Sequence, residues 1–256
     1  MSAADQHNRY PCEQVVPIEQ EPRHHLVIDN EFVRAFAVEI APHDRTLCHH
    51  HPHDYLVYVA GIADVVSARR NQEPKTILYK DGECELGEAG MVHVVENLKD
   101  VPFRNLAIEL LPRLGELKRG PDPQRRLTPD QSVKVEATMS WIQDGLSRIR
   151  PHFESEKVKV FRVKVPATCE VEISGPAVIA CPEGPVVSWI EPGKGPVIVN
   201  NFMELVWVPP HVAGLLRGPG AGVVVFQLGV IDGQSSSVRS QREPLKSLRA
   251  HADEPE

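Results

Sequence analysis

Aromatic residues occupy only 5% of the 256 positions while prolines number 23, a balance that speaks against long helices and for short elements joined by turns. No stretch approaches the roughly 18 consecutive apolar residues that a membrane span needs, and the opening MSAADQHNRYPCEQ is polar, without the apolar segment of a secretory leader. The chain is therefore expected to be soluble, not secreted and without a membrane partner. The five cysteines, Cys12, Cys48, Cys84, Cys169 and Cys181, are odd in number, widely spaced and free of any C-x-x-C pair. That pattern suggests neither a disulfide framework nor a zinc ribbon, and a reducing cytoplasm is the simplest setting for it. A basic stripe is lacking too: outside LPRLGELKRGPDPQRR, whose charges sit among prolines and glycines, none stands out, and the formal net charge is −7. A nucleic-acid partner is not expected.

What is present is a soluble-protein composition, 41% hydrophobic and 25% charged, in a chain long enough for two domains. After a polar arm (1–22), strand-like runs follow one another: HLVID, FVRAFAVEI, YLVYVAGIADVV, KTILY, MVHVV and NLAIELL, separated by Gly, Pro, Asn and Asp. They define an all-β domain over 23–113. A linker (114–156) carries ATMSWIQDGLSRIR, where Met139, Ile142, Leu146 and Ile149 recur at helical steps. A second strand series over 157–232, VKVFRVKV, CEVEI, AVIA, VVSWI, PVIVN, ELVWVPP and GVVVFQLGVI, echoes the rhythm of the first, as a duplicated β domain would. The remainder (233–256) is a polar tail.

The chemistry concentrates in TLCHHHPHDYLVYVAG. On a strand, side chains alternate faces, so His49 and His51 share one face and His50 takes the other, and H-x-H presents two imidazoles to one point. Pro52 cannot donate to a ladder, which ends that parity before His53. The next histidine is remote, in DGECELGEAGMVHVVENL, where His93 follows Gly90 by three residues and Asn97 follows His93 by four.

In these two segments the sequence resembles the cupin superfamily, whose motifs are written G-x5-H-x-H-x3,4-E-x6-G and G-x5-P-x-G-x2-H-x3-N. His49 and His51 fall on the H-x-H, His43 stands at the leading glycine, and Gly61 lies near the trailing one. In the second motif Gly82, Gly90, His93 and Asn97 are in register, with Glu88 at the proline position. The resemblance implies two double-stranded β-helix (jelly-roll) barrels joined by a short helical linker, a bicupin, with a metal held by His49, His51 and His93. Where the family places its motif glutamate this chain has Tyr55, and Asp54 is one residue short of it. The resemblance thus points to a three-histidine site with Tyr55 as a hydrogen-bonding or acid–base group, and leaves open His53 or Asp54 as a fourth ligand.

Three imidazoles on one face of an octahedral ion leave positions for a bidentate substrate and dioxygen. Fe(II) is the favoured ion, with Zn, Ni, Mn or Cu as alternatives. The expected function is a metal-dependent, dioxygenase-like oxidoreductase acting on a small molecule. The alternatives are a metal-dependent isomerase or lyase, and a non-catalytic binding cupin. Val57, Val59 and Ile108 are expected as apolar walls, Asn97 as a turn-stabilising residue, Glu109 as a charged residue in need of a partner, and Cys48 as facing away from the metal. The second domain has no H-x-H. In the preferred register of ELVWVPPHVAGLL, His211 takes a glycine position and Gly214 that of the metal histidine. Such a degenerate domain would close a sheet edge of the first or build the interface of a homodimer.

Overall fold

The computed structural model describes residues 9–116, 151–164, 170–182, 187–191, 193–199, 201–210, 212–218 and 222–228. Its N-terminal half is two sheets. One runs in the order β1 (Val16–Pro17), β4 (His49–His51), β9 (Met91–Asn97), β6 (Ala63–Arg69) and β7 (Lys75–Tyr79). The other runs β2 (His24–Asp29), β3 (Val33–Ile40), β10 (Phe103–Leu110), β5 (Tyr55–Ala60) and β8 (Cys84–Gly87). The chain crosses repeatedly from sheet to sheet, which is jelly-roll winding.

The C-terminal half repeats the order. β11 (Phe153–Glu154), β12 (Val158–Lys164), β19 (Gly222–Leu228), β14 (Ala177–Ala180) and β17 (Leu205–Val208) stand where β2, β3, β10, β5 and β8 stand in the first half. β13 (Glu170–Ser174), β18 (Ala213–Arg217), β15 (Val187–Ile190) and β16 (Val197–Val199) match β4, β9, β6 and β7. The all-β class expected from the sequence is what the structure has.

β3, β5 and β10 are buried on both faces. One face sends Phe36, Val38, Val59 and Ala107 against Ala63, Val65 and Tyr79 of the facing N-terminal sheet. The other sends Ala35, Ala37, Tyr58, Leu106 and Ile108 against Val158, Val160, Val178, Val224 and Phe226 of the C-terminal half. Double burial is why FVRAFAVEI and NLAIELL read as nearly unbroken apolar runs instead of alternating. It also corrects two of the three expected walls: Ile108 faces the C-terminal half while its neighbour Ala107 faces the site, and Val59 packs in the core without lining the cavity, which leaves Val57.

Tyr58 meets Phe226 edge to face at 5.6 Å, and Phe32 stacks on Trp207 at 5.9 Å. Among the described residues polar ties are fewer: Arg162 to Asp81 at 2.9 Å, Lys157 to Asp54, and His152 Nε2 donating to Gly82 O at 2.7 Å. Burying one large apolar side chain contributes about 1.5–3 kcal/mol, against roughly 0–1 kcal/mol for an exposed ion pair. The shared apolar core therefore dominates the attachment. The C-terminal half covers a sheet face, not the sheet edge expected from the sequence.

Four strands were not legible as strands: β8 and β18, and the two-residue β1 and β11, which fall in the stretches assigned to the arm and the linker. The linker contributes a one-turn helix, α1 (Pro112–Glu116). The helix expected over 139–149, the tail and His211 lie outside the described residues. The arm is more than a polar lead: residues from Tyr10 to Val15 cover Cys48, Ala68 and Val94 on the outer face of the β4–β9 sheet. There Cys12 and Cys48 form a disulfide, with Cα atoms 5.2 Å apart. This overturns the reading of the cysteines as unpaired. The parallel pairing of Val16 with His49 brings the two together, and sequence spacing carries no trace of such a pairing. No helix among the described residues is long and apolar enough to cross a membrane.

Candidate metal centre

β4 ends at His51, and Pro52, His53 and Asp54 carry the chain into the other sheet, where β5 begins at Tyr55. Within β4, His49 and His51 are 0% and 2% exposed. Antiparallel pairing sets His93 of β9 directly opposite His49, on the same face. The three Nε2 atoms converge: His49 to His51 at 3.1 Å, His93 to His49 at 3.2 Å, and His93 to His51 at 3.3 Å.

At His49 the other ring nitrogen shows why Nε2 is free to act as a donor. His49 Nδ1 lies 3.0 Å from Leu47 O, an atom that can only accept, so Nδ1 carries the proton and Nε2 a bare lone pair. Ser67 Oγ lies 3.5 Å from His93 Nδ1. His51 Nδ1 faces Glu109 Oε1 at 3.9 Å, and neither atom has a closer hydrogen-bond partner. Burial pushes all three imidazoles below their ordinary range, with neighbouring histidines adding to the effect; His49 is held at about 4. Neutral rings with lone pairs aimed at one point repel unless a cation lies between them. Metal–nitrogen bonds of about 2.1 Å place neighbouring donors roughly 3.0–3.4 Å apart, which brackets the observed spacings. The donor set fits a divalent transition metal, and its imidazole character admits iron, zinc, copper or nickel.

Tyr55 lies beside this triad, 5% exposed, its ring stacked on that of His51 at 4.0 Å and 15°. Gly87 on the neighbouring strand makes room: a Cβ there would fall 2.2 Å from Tyr55 Cζ. Burial raises the Tyr55 phenol well above its usual value, so it stays protonated at neutral pH. Histidines and tyrosine open on a cavity of about 80 Å³, room for several water molecules or a small organic molecule. Val38, Val57, Val65 and Ile77 wall it, with Ser67 and Arg69 as further polar lining.

Several polar lining residues escaped the sequence reading, Thr46, Ser67, Tyr79, Glu85 and Asn105 among them, and two bear most directly on the site. His24 of β2 brings a fourth imidazole, and nitrogens of His24, His49 and His51 all lie within 4.8 Å of one another. Arg69, which pairs with His93 across β6 and β9, sets a guanidinium at the cavity with no ion pair among the described residues. Neither belongs to a spaced motif; only strand pairing delivers them.

The remaining residues take other roles. Glu109 is fully buried behind His51 and pairs with Arg34 at 2.5 Å. Asn97 ties down its turn, donating to Ile40 O, Ala41 O and Val101 O and accepting from the Lys99 N–H. His50 and His53 do not line the cavity, and Asp54 accepts from Ala89 N–H and pairs with Lys157 at the junction of the halves. His43 adopts a left-handed backbone, φ 57°, at the motif's glycine position, and its exposed ring meets Asp100 at 2.8 Å.

Both motifs thus sit on neighbouring strands of a jelly roll and deliver their histidines to one point. The fold is a cupin fold. Among solved structures, this chain is similar to a cupin domain of Bordetella pertussis Tohama I, at 25% identity over 34% of this chain and 90% of that one, TM-score 0.33. It is similar to a salicylate 1,2-dioxygenase of Pseudaminobacter salicylatoxidans at 10% identity, over 77% and 70% of the two chains, TM-score 0.46. An RmlC-like cupin family protein of Methanocaldococcus jannaschii is similar at 11% identity over 34% of this chain and 78% of its own, TM-score 0.31. No family model matches the sequence, and no curated protein does.

Proposed function

We propose that the chain is a metal-dependent oxidoreductase of the dioxygenase kind, with His49, His51 and His93 holding a divalent ion and a small anionic molecule as substrate. The observation that carries this reading is the convergence of three imidazole Nε2 atoms at the wall of a cavity that also holds the Arg69 guanidinium, which has no ion pair among the described residues. A redox-active ion such as Fe(II), bound there, would supply the electron transfer that dioxygen chemistry needs and positions for a two-point ligand.

The chain's own residues do the rest. Arg69 offers a fork of donors matched to a carboxylate or a vicinal pair of oxygens, and so orients the substrate from the β6 side. Tyr55, kept protonated by burial, donates a hydrogen bond to a substrate oxygen and can pass that proton where negative charge develops. Val38, Val57, Val65 and Ile77 exclude bulk water, which strengthens both contacts. Glu109, anchored by Arg34, sets a carboxyl 3.9 Å behind the His51 ring.

The test is oxygen uptake by protein loaded anaerobically with Fe(II) and offered small hydroxy acids, diketones and thiols. Uptake that needs both the ion and one of these compounds, with KM raised at least about tenfold in Arg69→Met, is the expected result. A protein that binds the ion and consumes no oxygen with any of them overturns the dioxygenase reading in favour of the isomerase or lyase and the non-catalytic binding alternatives.

A further inference from the structure

His24 is equipped as the three motif histidines are, and better. Its side chain is 6% exposed, and its Nδ1 lies 2.8 Å from Glu21 Oε2. A carboxylate only accepts, so in the neutral ring the proton sits on Nδ1 and Nε2 is left as a bare donor. This is the carboxylate–histidine pairing that commonly fixes the tautomer and raises the basicity of a metal-bound imidazole. The corresponding Nδ1 distances at His49, His93 and His51 are 3.0, 3.5 and 3.9 Å.

Glu21 is itself enclosed. Its side chain is 0% exposed, and it accepts from the N–H groups of Arg23 at 2.8 Å and Leu47 at 3.1 Å and from the Arg23 guanidinium at 3.3 Å. Leu47 links two imidazoles: its N–H donates to Glu21, which braces His24, while its carbonyl accepts from His49. One buried carboxylate thereby supports two rings, one directly and one through a peptide group. The rings of His24 and His49 are 4.7 Å apart, as close as those of His49 and His93 at 4.6 Å. Donors on opposite sides of an octahedral ion are about 4.2 Å apart and neighbouring ones about 3.0 Å. A nitrogen within 4.8 Å of those of His49 and His51 is at most roughly 2 Å from such a position, a shift that rotation of the His24 side chain can supply.

We propose that His24, held by Glu21, is a fourth imidazole donor, so that the centre is built from four histidines on three strands, β2, β4 and β9. The proposal rests on the metal reading above and deepens it. It makes the residues ahead of the first motif part of the ligand set, and it leaves at most two positions of an octahedral ion for substrate and co-substrate.

Co(II) titration tests it, because the intensity and position of the visible Co(II) bands report coordination number and ligand field. His24→Gln is expected to weaken Co(II) binding about 100-fold or more and to change the visible spectrum. Glu21→Gln keeps His24 but removes its anionic acceptor, and is expected to weaken binding by about tenfold with a smaller spectral change. A His24→Gln protein with wild-type affinity and spectrum overturns the proposal and leaves the three-histidine reading standing. If that variant does not fold, a Glu21→Gln protein indistinguishable from wild type overturns it. Wild-type protein that binds no Co(II) overturns both readings.

Discussion

Strand β9 in the N-terminal half runs MVHVVEN, and its counterpart β18 runs AGLLR. Where the first places His93 opposite His49, the second pairs Gly214 with Ile173. A Cβ on Gly214 would lie 2.5 Å from the ring of Trp189, which is 2% exposed and packs among Phe161, Val187 and Leu216. The two halves share a winding, but one interior is left open and lined with imidazoles while the other is filled by an indole. Among the described residues the two interiors thus differ in occupied volume as well as in ligands. Gly214, which the preferred sequence register sets at the histidine position, is what lets Trp189 lie there.

The difference can be pressed hardest at His93. His93→Ala should abolish tight metal uptake, a loss of about 100-fold or more in affinity, read by elemental analysis of protein purified alongside wild type. Metal retained at wild-type stoichiometry would mean that the triad is not the site. The complementary change, Trp189→Ala, should cost about 3–5 kcal/mol in urea unfolding, as removal of a large core ring does, while metal per folded chain stays the same. A change in metal content would show the halves to be chemically coupled as well as packed together.

A finer cut is Tyr55→Phe, which keeps the stack on His51 and removes the hydroxyl. Metal content should be unchanged, and turnover in the oxygen-uptake assay should fall about tenfold, the loss of one hydrogen bond of roughly 1–2 kcal/mol. Equal turnover would remove Tyr55 from the chemistry. The smallest effect belongs to the junction. Burial alone would raise the Asp81 carboxyl, but hydrogen bonds from Gly61 N–H and Arg162 outweigh it and hold the group below its ordinary 3.8. Its stabilisation is therefore fully present above about that pH and is lost as pH falls through the lower folded value. Asp81→Asn should flatten the acid limb of stability by a few tenths of a kcal/mol, followed by thermal melting from pH 5 to 2. An unchanged acid limb would show that Asp81 contributes nothing to holding the halves together.

The histidine triad was legible because strand parity and two fixed-spacing motifs are local properties of the chain. His24 was not, since PRHHLVID stands at no set distance from either motif and reaches the site only through the pairing of β2 with β3. The same holds for Arg69, the last residue of an apolar strand, and for Cys12, brought to Cys48 by a parallel pair. Ile108 and Ala107 could not be told apart by pattern, because β10 is buried on both faces and period-two alternation vanishes there. Parity also failed across Pro52: His51 and Tyr55 belong to different sheets, and their rings meet by stacking at a corner.

The doubly buried β3–β10–β5 layer has a practical corollary for anyone wishing to dissect the molecule. Excising the histidine-bearing half would strip Ala35, Ala37, Tyr58, Leu106 and Ile108 of their cover and present water with an apolar face on the order of several hundred Å². Such a fragment would be expected to aggregate or to recruit a second copy of itself over that face. The C-terminal half keeps that face from water, and the candidate metal centre is best interrogated in the intact chain.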